Sequence, residues 1–320
     1  MLPITHRQSA VMKSFKNQIA ASFYPLARLL IKDVPLQASR QQVWHLIRRY
    51  GWRGSERVIK TDQGFVVKGN VAEYLHLCLY LFGVWEECTT RFVAERLKPG
   101  DCFIDVGANI GYYSLLSASL VGRAGRVVAI EASPRIYADL INNLALNGVT
   151  NVRAVNVAAS DSPGELDLFE ASEESRGLTT TSATWARQTN CGITGKIQAL
   201  PLNMLASKQE LSAARIIKID VEGAEWSVCS GLMPALHELR PDAEIILEVT
   251  PDEIKSQGHQ CSELIQRFTD LGFFPYVIEN QYSPDYLCSG HKKSRPKRLD
   301  GVFLDKQADL VFSRIDARQL

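Results

Sequence analysis

Several protein classes are excluded by what the sequence lacks. Its longest apolar run, Leu77 to Trp85, covers nine positions, against roughly 18 for a membrane-spanning helix. The amino terminus shows no apolar block with a small-residue cleavage site, so no secretory signal is expected. The seven cysteines are odd in number and form no C-x-x-C pair. Neither a disulfide framework nor a zinc site is expected, and free thiols in a reducing cytoplasm are. No internal repeat or low-complexity block is visible. The six histidines are scattered without ligand spacing; His259, after Gln257-Gly258, is the one with a loop position suited to a base.

What is present is an ordinary globular composition. The chain has 320 residues, 46% hydrophobic and 22% charged, enough for one large domain or a domain with an added piece. The net charge of +1 hides an asymmetry. Residues 1–60 hold eleven basic and two acidic side chains, and residues 101–250 hold eleven basic and eighteen acidic. A basic arm thus precedes an acidic centre. A protein built mainly on phosphate contacts would be basic throughout, so nucleic acid is not the expected partner.

Residues 9–32 space Val11, Phe15, Ile19, Phe23, Leu26 and Leu30 at near-helical intervals among lysines and arginines. Helices packed on the main domain, or a peripheral membrane contact, are the two expectations. Residues 58–67 read as a hairpin around Asp62-Gln63-Gly64, and Glu73 to Leu97 as helical. An alternation follows. Cys102–Val106, Arg126–Ile130, Val152–Val157, Ile216–Ile219 and Glu244–Val249 read as strands, with helices at Tyr113–Leu120, Arg135–Leu146 and Ser262–Leu271. Phe274–Ile278 and Leu310–Phe312 close the list, and residues 160–212 suggest an extra hairpin with a loop. Strands separated by helices predict a mostly parallel, doubly wound sheet. Residues 1–72 read as a helical and hairpin extension, and 73–320 as the main domain.

The most informative segment runs from Phe103 to Tyr113: a buried strand, a glycine-bearing turn and a helix start. Such a turn receives adenosine-bearing ligands in open α/β sheets. A dinucleotide needs G-x-G-x-x-G, but Asp105 stands at the first glycine position, where a carboxylate repels pyrophosphate. The string G-x-x-x-x-G-K-[ST] is absent. S-adenosylmethionine (SAM) carries an ammonium and a sulfonium and no phosphate, and suits Asp105, Gly107, Asn109 and Gly111. Glu131 ends the next strand twenty positions after Gly111, where a carboxylate can accept from both ribose hydroxyls. The segment Ile216 to Trp226 puts Asp220, Glu222 and Glu225 on one turn, and like charges that close call for a cation or a shared proton.

Taken together, Leu97-Lys98-Pro99-Gly100-Asp101, the Asp105-to-Gly111 turn, Glu131-Ala132-Ser133-Pro134 and Ile217 to Glu225 resemble the FkbM family of SAM-dependent methyltransferases. The upstream Gly83-Val84-Trp85-Glu86 fits as well, and Leu202-Asn203 departs from the family's usual Leu-Asp. The resemblance implies an α/β, class I methyltransferase (Rossmann-like) fold: a seven-stranded sheet with helices on both faces and one antiparallel strand near the carboxy terminus. It implies methyl transfer to oxygen, with relatives acting on polyketide and sugar hydroxyls.

On that basis the cofactor residues are Asp105 toward the ammonium, Gly107, Asn109 and Gly111 under the methionine part, Glu131 on the ribose, Ser133 beside it, and Asp161 toward adenine. Asp220 is the first candidate for the base, with Glu222 its companion and Glu225 and Glu248 behind. These carboxylates are also oxygen ligands of the kind Mg²⁺ prefers. Tyr112, Tyr113, Trp85 or Trp226 could face the sulfonium. The acceptor expected is a small-molecule or glycan hydroxyl, and the basic run from His291 to Arg298 suits an anionic one. RNA or protein methylation, and a catalytically inactive membrane-associated scaffold, are the alternatives.

Overall fold

The computed structural model describes residues 26–31, 41–45, 47, 56–171, 179–280, 294–301, 304 and 306–320. Most of the amphipathic stretch 9–32, part of the loop in 160–212 and residues 291–293 of the basic run lie outside the described residues. The described chain forms two compact units, one ending at Trp85 and the other running from Glu86 to Asn280 and resuming at residue 294.

In the first unit, β1 (Glu56–Lys60) and β2 (Val66–Asn70) pair antiparallel, with Gly64 at φ 94 in the turn, as the hairpin reading predicts. Helix α1 (Tyr74–Phe82) buries His76 through Leu81 and ends at Gly83, φ 80, whose N–H donates to the Leu79 carbonyl. That left-handed glycine corrects the single helix expected from Glu73 to Leu97. A separate helix, α2 (Glu87–Arg96), begins the second unit.

The second unit carries the remaining strands: β3 (Cys102–Val106), β4 (Arg126–Ile130), β5 (Val152–Val155), β6 (Ala158–Ala159), β7 (Gly164–Glu170), β8 (Thr179–Thr180), β9 (Gly192–Leu200), β10 (Ala214–Ile219), β11 (Glu244–Val249), β12 (Phe274–Ile278), β13 (Lys297–Arg298) and β14 (Ala308–Ser313). The main sheet has the order β13-β12-β14-β11-β10-β3-β4-β5. Strands β5, β4, β3, β10 and β11 pair in parallel, and β14 inserts antiparallel between β11 and β12. This is the class I methyltransferase arrangement. The sheet has eight strands where seven were expected, the eighth being the two-residue β13 on the edge of β12.

Every residue of β3 and β10 is buried, as strands covered on both faces require. Helices α3 (Tyr112–Val121) and α4 (Pro134–Leu146) follow β3 and β4. Ile104, Val128, Ile217 and Ile245 pack with Val228, Leu232, Leu264 and Phe268 in one core. Burying each such side chain contributes about 1.5–3 kcal/mol. The third expected strand, Val152–Val157, ends at Val155; the Asn156 amide then donates to the Glu131 and Ala132 carbonyls, and β6 just beyond it pairs with β9. Beyond it, β6, β9, β7 and β8 build a second, four-stranded sheet where a single hairpin was expected. Among the described residues no helix is long and apolar enough to cross a membrane.

Candidate active site

The chain leaves β3 through Gly107 (φ 80), Asn109 (φ 51) and Gly111 (φ 91). The N–H groups of Gly107 and Ala108 both donate to the Ile130 carbonyl at 2.9 Å, tying this turn to the tip of β4. Gly107 is constrained twice. Its φ lies in the left-handed region, and a Cβ there would stand 1.8 Å from the Asp220 carbonyl oxygen. The turns after β3 and β10 are therefore in backbone contact.

Glu131 is 6% exposed. Its Oε2 accepts from the Asn109 N–H at 2.9 Å and its Oε1 from the Ser133 N–H at 2.8 Å. Burial raises its pKa to about 7, against the pull of those two donors. Asp105 is buried on β3 and accepts from the Ser114 hydroxyl at 2.6 Å. Burial raises it to about 6, with the Lys218 charge opposing. The Ser133 hydroxyl caps α4 through the Ile136 N–H and also bonds Glu170, so what Ser133 gives to Glu131 is its backbone N–H. Asp161 is exposed on the loop after β6, accepting from the Ser162 hydroxyl at 3.0 Å.

The other half of the edge is ionic. Lys218 faces Asp105 in register across the β3–β10 ladder. Its Nζ lies 2.5 Å from Asp220 Oδ2 and 4.6 Å from the centre of the Tyr113 ring. The Tyr113 hydroxyl in turn donates to Glu86 Oε2 at 2.7 Å. Asp220, Glu222 and Glu248 each bring an oxygen into one cluster, all within 4.8 Å of one another. Burial opposes charge on Asp220, but the Lys218 ammonium and a hydrogen bond from Glu248 outweigh it and hold Asp220 below the usual range. Burial and the Asp220 charge push Glu248 well above its ordinary value. Burial and Asp220 together raise Glu222 to about 7. Asp309 pairs in register with Glu248 and accepts from the Asn280 amide at 2.8 Å; burial raises it to about 7.

The structure thus brings Asp105, Gly107 and Asp220 together, and Asn109, Glu131 and Ser133 together. Glu225 turns inward: it is 1% exposed and accepts from the Gly223 N–H at 3.0 Å. Among the aromatic candidates, Tyr113 carries the Lys218 ammonium, and Trp226 is stacked by His259 at 3.8 Å with Arg267 also on its ring. Within the basic run, Lys297 pairs with Glu279 and Arg298 with Asp316. Asp309 was missed in the sequence, where nothing local marks it, and Glu86 was quoted only in the Gly83-to-Glu86 lead-in, with no role given to it. Lys218 stood in the sequence only inside the quoted Ile217-to-Glu225 motif, with no role given to it.

Residues 105–275, just over half of the chain, match the FkbM methyltransferase domain. The chain belongs to the FkbM methyltransferase family. Methyltransferase sdnD of Sordaria araneosa is 27% identical over 219 residues, 55% of this chain and 84% of that protein. The protein-L-isoaspartate O-methyltransferase of Methanococcus aeolicus is 34% identical over 62 residues, 19% of this chain. The match spans 29% of that relative's length. A solved SAM-dependent O-methyltransferase from Thermotoga maritima aligns with 87% of this chain and 83% of its own, at 15% identity and a TM-score of 0.39. As an FkbM methyltransferase, the protein is a SAM-dependent enzyme.

Proposed function

We propose that this FkbM methyltransferase transfers the methyl group to a hydroxyl oxygen of a small-molecule or glycan acceptor, with Asp220 taking the hydroxyl proton. The observation that most supports this is the ionised Asp220 carboxylate at the tip of β10, on the turn that touches Gly107.

SAM, when bound, supplies an activated methyl group on a sulfonium. Everything else falls to the chain. Gly107, Asn109 and Gly111 would shape the floor for the methionine part, Asp105 the ammonium contact, and Asp161 the adenine edge. Glu131, with both oxygens already aligned by the N–H groups of Asn109 and Ser133, would meet the ribose. Holding the acceptor hydroxyl at attack distance lowers the barrier by about 7–11 kcal/mol. A positioned base adds roughly 10²–10⁴-fold. Asp220 suits that role because the Lys218 ammonium holds it as a carboxylate, whereas Glu222, raised to about 7 by burial and the Asp220 charge, suits a hydrogen bond to the acceptor. The isoaspartate relative is named as an O-methyltransferase, which favours oxygen as the receiving atom.

The test is mass spectrometry of glycan and small-molecule extracts incubated with the protein and SAM carrying a deuterated methyl group. The expected product carries the label as a base-stable ether. Label on nitrogen, or as a base-labile carboxyl ester, would replace this assignment.

A further inference from the structure

We propose that Glu170, the last residue of β7 in the second sheet, is a positioning residue for the SAM ribose and acts through Ser133. The inference rests on the ribose role given to Glu131 above and names what aligns that carboxylate from outside the main sheet.

Ser133 is fully buried. Its backbone N–H is one of the two donors that align Glu131, 2.8 Å from Oε1. Where that N–H points depends on how the Ser133 residue is held. Its hydroxyl oxygen accepts from the Ile136 N–H at 3.2 Å and so caps α4. Capping uses the oxygen and leaves the hydroxyl proton to be placed. A buried hydroxyl needs an acceptor for it. The chain supplies the Glu170 carboxylate, 37 positions further on.

Glu170 is itself fixed. It pairs in register with Gly192 on β9 and with Thr179 on β8. Its Oε2 lies 3.6 Å from the Arg135 Nε, and its side chain is 12% exposed. Through Ser133 the carboxylate sits at the start of α4, where negative charge is favoured. In the neighbouring pair of the same ladder, Phe169 is opposite Thr180. The Thr180 hydroxyl donates to the Glu222 carbonyl and accepts from the Ser182 N–H at 2.9 Å. Adjacent pairs of β7 and β8 thus reach the turn after β4 at one end and the turn after β10 at the other. Strands β4 and β10 are the two neighbours of β3. The second sheet therefore bridges the strand ends that flank the Asp105-to-Gly111 turn. On the β4 side, Ala132 packs on Ala158, Leu168, Ile197 and Ala199 of that sheet.

Stability alone does not account for Glu170. The cap on α4 is complete with Ser133 and Ile136. The ion pair to Arg135, whose side chain is 34% exposed, contributes little. What the carboxylate adds is a fixed direction for the residue that aligns Glu131. Asn109 aligns the same acid from the β3 turn. Glu131 is thus held by one donor from the cofactor turn and by one set from the second sheet.

The test is calorimetry with S-adenosylhomocysteine and with its 2′,3′-dideoxyribose analogue, on the wild type, Glu131→Ala, Glu170→Ala and Glu170→Gln. The analogue should bind the wild type more weakly than the parent ligand does. Glu170→Ala should weaken S-adenosylhomocysteine by about 3–10-fold and leave the analogue's affinity unchanged. Glu170→Gln keeps an oxygen for the Ser133 hydroxyl and should stay near wild type with both ligands. A role in fold stability alone would weaken both ligands alike. That result in Glu170→Ala, no loss in Glu170→Ala, or an equal loss in Glu170→Gln would overturn the proposal. If Glu131→Ala shows the selective loss and Glu170→Ala does not, the ribose reading stands and this inference fails. If the wild type binds both ligands equally, the ribose reading fails and takes this inference with it. Should Glu170→Ala fail to fold, Ser133→Ala decides, because it keeps the backbone N–H and removes the hydroxyl. A loss confined to S-adenosylhomocysteine supports the proposal there, and an even loss overturns it.

Discussion

At the tips of β3 and β4, Asp105 and Glu131 accept hydrogen bonds from neutral donors only, the Ser114 hydroxyl and the N–H groups of Asn109 and Ser133, with the Lys218 charge also reaching Asp105. At the tips of β10, β11 and β14, Asp220, Glu248 and Asp309 are held by an ammonium, by one another and by the Asn280 amide. Neutral donors fix a carboxylate in place and leave it ready for a ligand's hydroxyls and ammonium. Charged and proton-sharing partners separate the pKa values of neighbours, which is what a proton-moving site needs. One edge of one sheet thus carries a binding half and a chemical half, joined where Gly107 meets Asp220.

The joint is where the largest effect is expected. Gly107→Ala puts a Cβ 1.8 Å from the Asp220 oxygen at a left-handed φ, and should cost about 2–4 kcal/mol in strain and displaced backbone. Chemical unfolding measures the cost, and calorimetry should show SAM binding lost with it. A stable variant that binds SAM normally would mean the two halves are not coupled there. Next comes Asp220→Asn, which should slow methyl transfer by about 10²–10⁴-fold and leave SAM affinity close to wild type. Glu131→Ala should do the reverse, weakening SAM binding by about 1–3 kcal/mol. If Asp220→Asn weakened SAM binding more than Glu131→Ala did, the division between the halves would be wrong.

The smallest effect is on pH dependence. Burial raises Asp105 to about 6, Glu131 and Glu222 to about 7 and Glu225 to about 8. Their unfolded values lie near 3.8 for Asp and 4.5 for Glu. Between those limits the folded chain binds more protons than the unfolded one, so stability falls as pH rises. It is fully present below about pH 4, is lost progressively between about pH 4 and pH 8, and levels off above that. Urea midpoints measured across that window should decline, and Glu131→Gln should flatten the decline. Midpoints that climb with pH would show these carboxyls ionised in the fold.

The parallel core was legible in the sequence because its signals are local. Cys102–Val106, Arg126–Ile130 and Glu244–Val249 are short apolar runs, and the glycine turn and Glu131 sit directly at strand ends. The second sheet was only half visible, since the chain passes from β5 to β6 at Asn156, whose two side-chain hydrogen bonds to Glu131 and Ala132 no periodicity records. The chemical half was least legible. Lys218 stood only inside the Ile217-to-Glu225 motif, with no role given to it. Glu86 and Asp309 join it from far along the chain, through the left-handed turn before α2 and the antiparallel insertion of β14. Topology, not pattern, assembles that cluster.

The central claim is that the edge formed by β3, β4 and β10 receives SAM with its reactive end toward Asp220. A crystal structure with S-adenosylhomocysteine tests it most directly. The account predicts the ribose hydroxyls within hydrogen-bond distance of Glu131 and the sulfur on the Asp220 side of the Gly107 turn. A ligand bound elsewhere on the protein, or seated with its ribose away from Glu131, would contradict it.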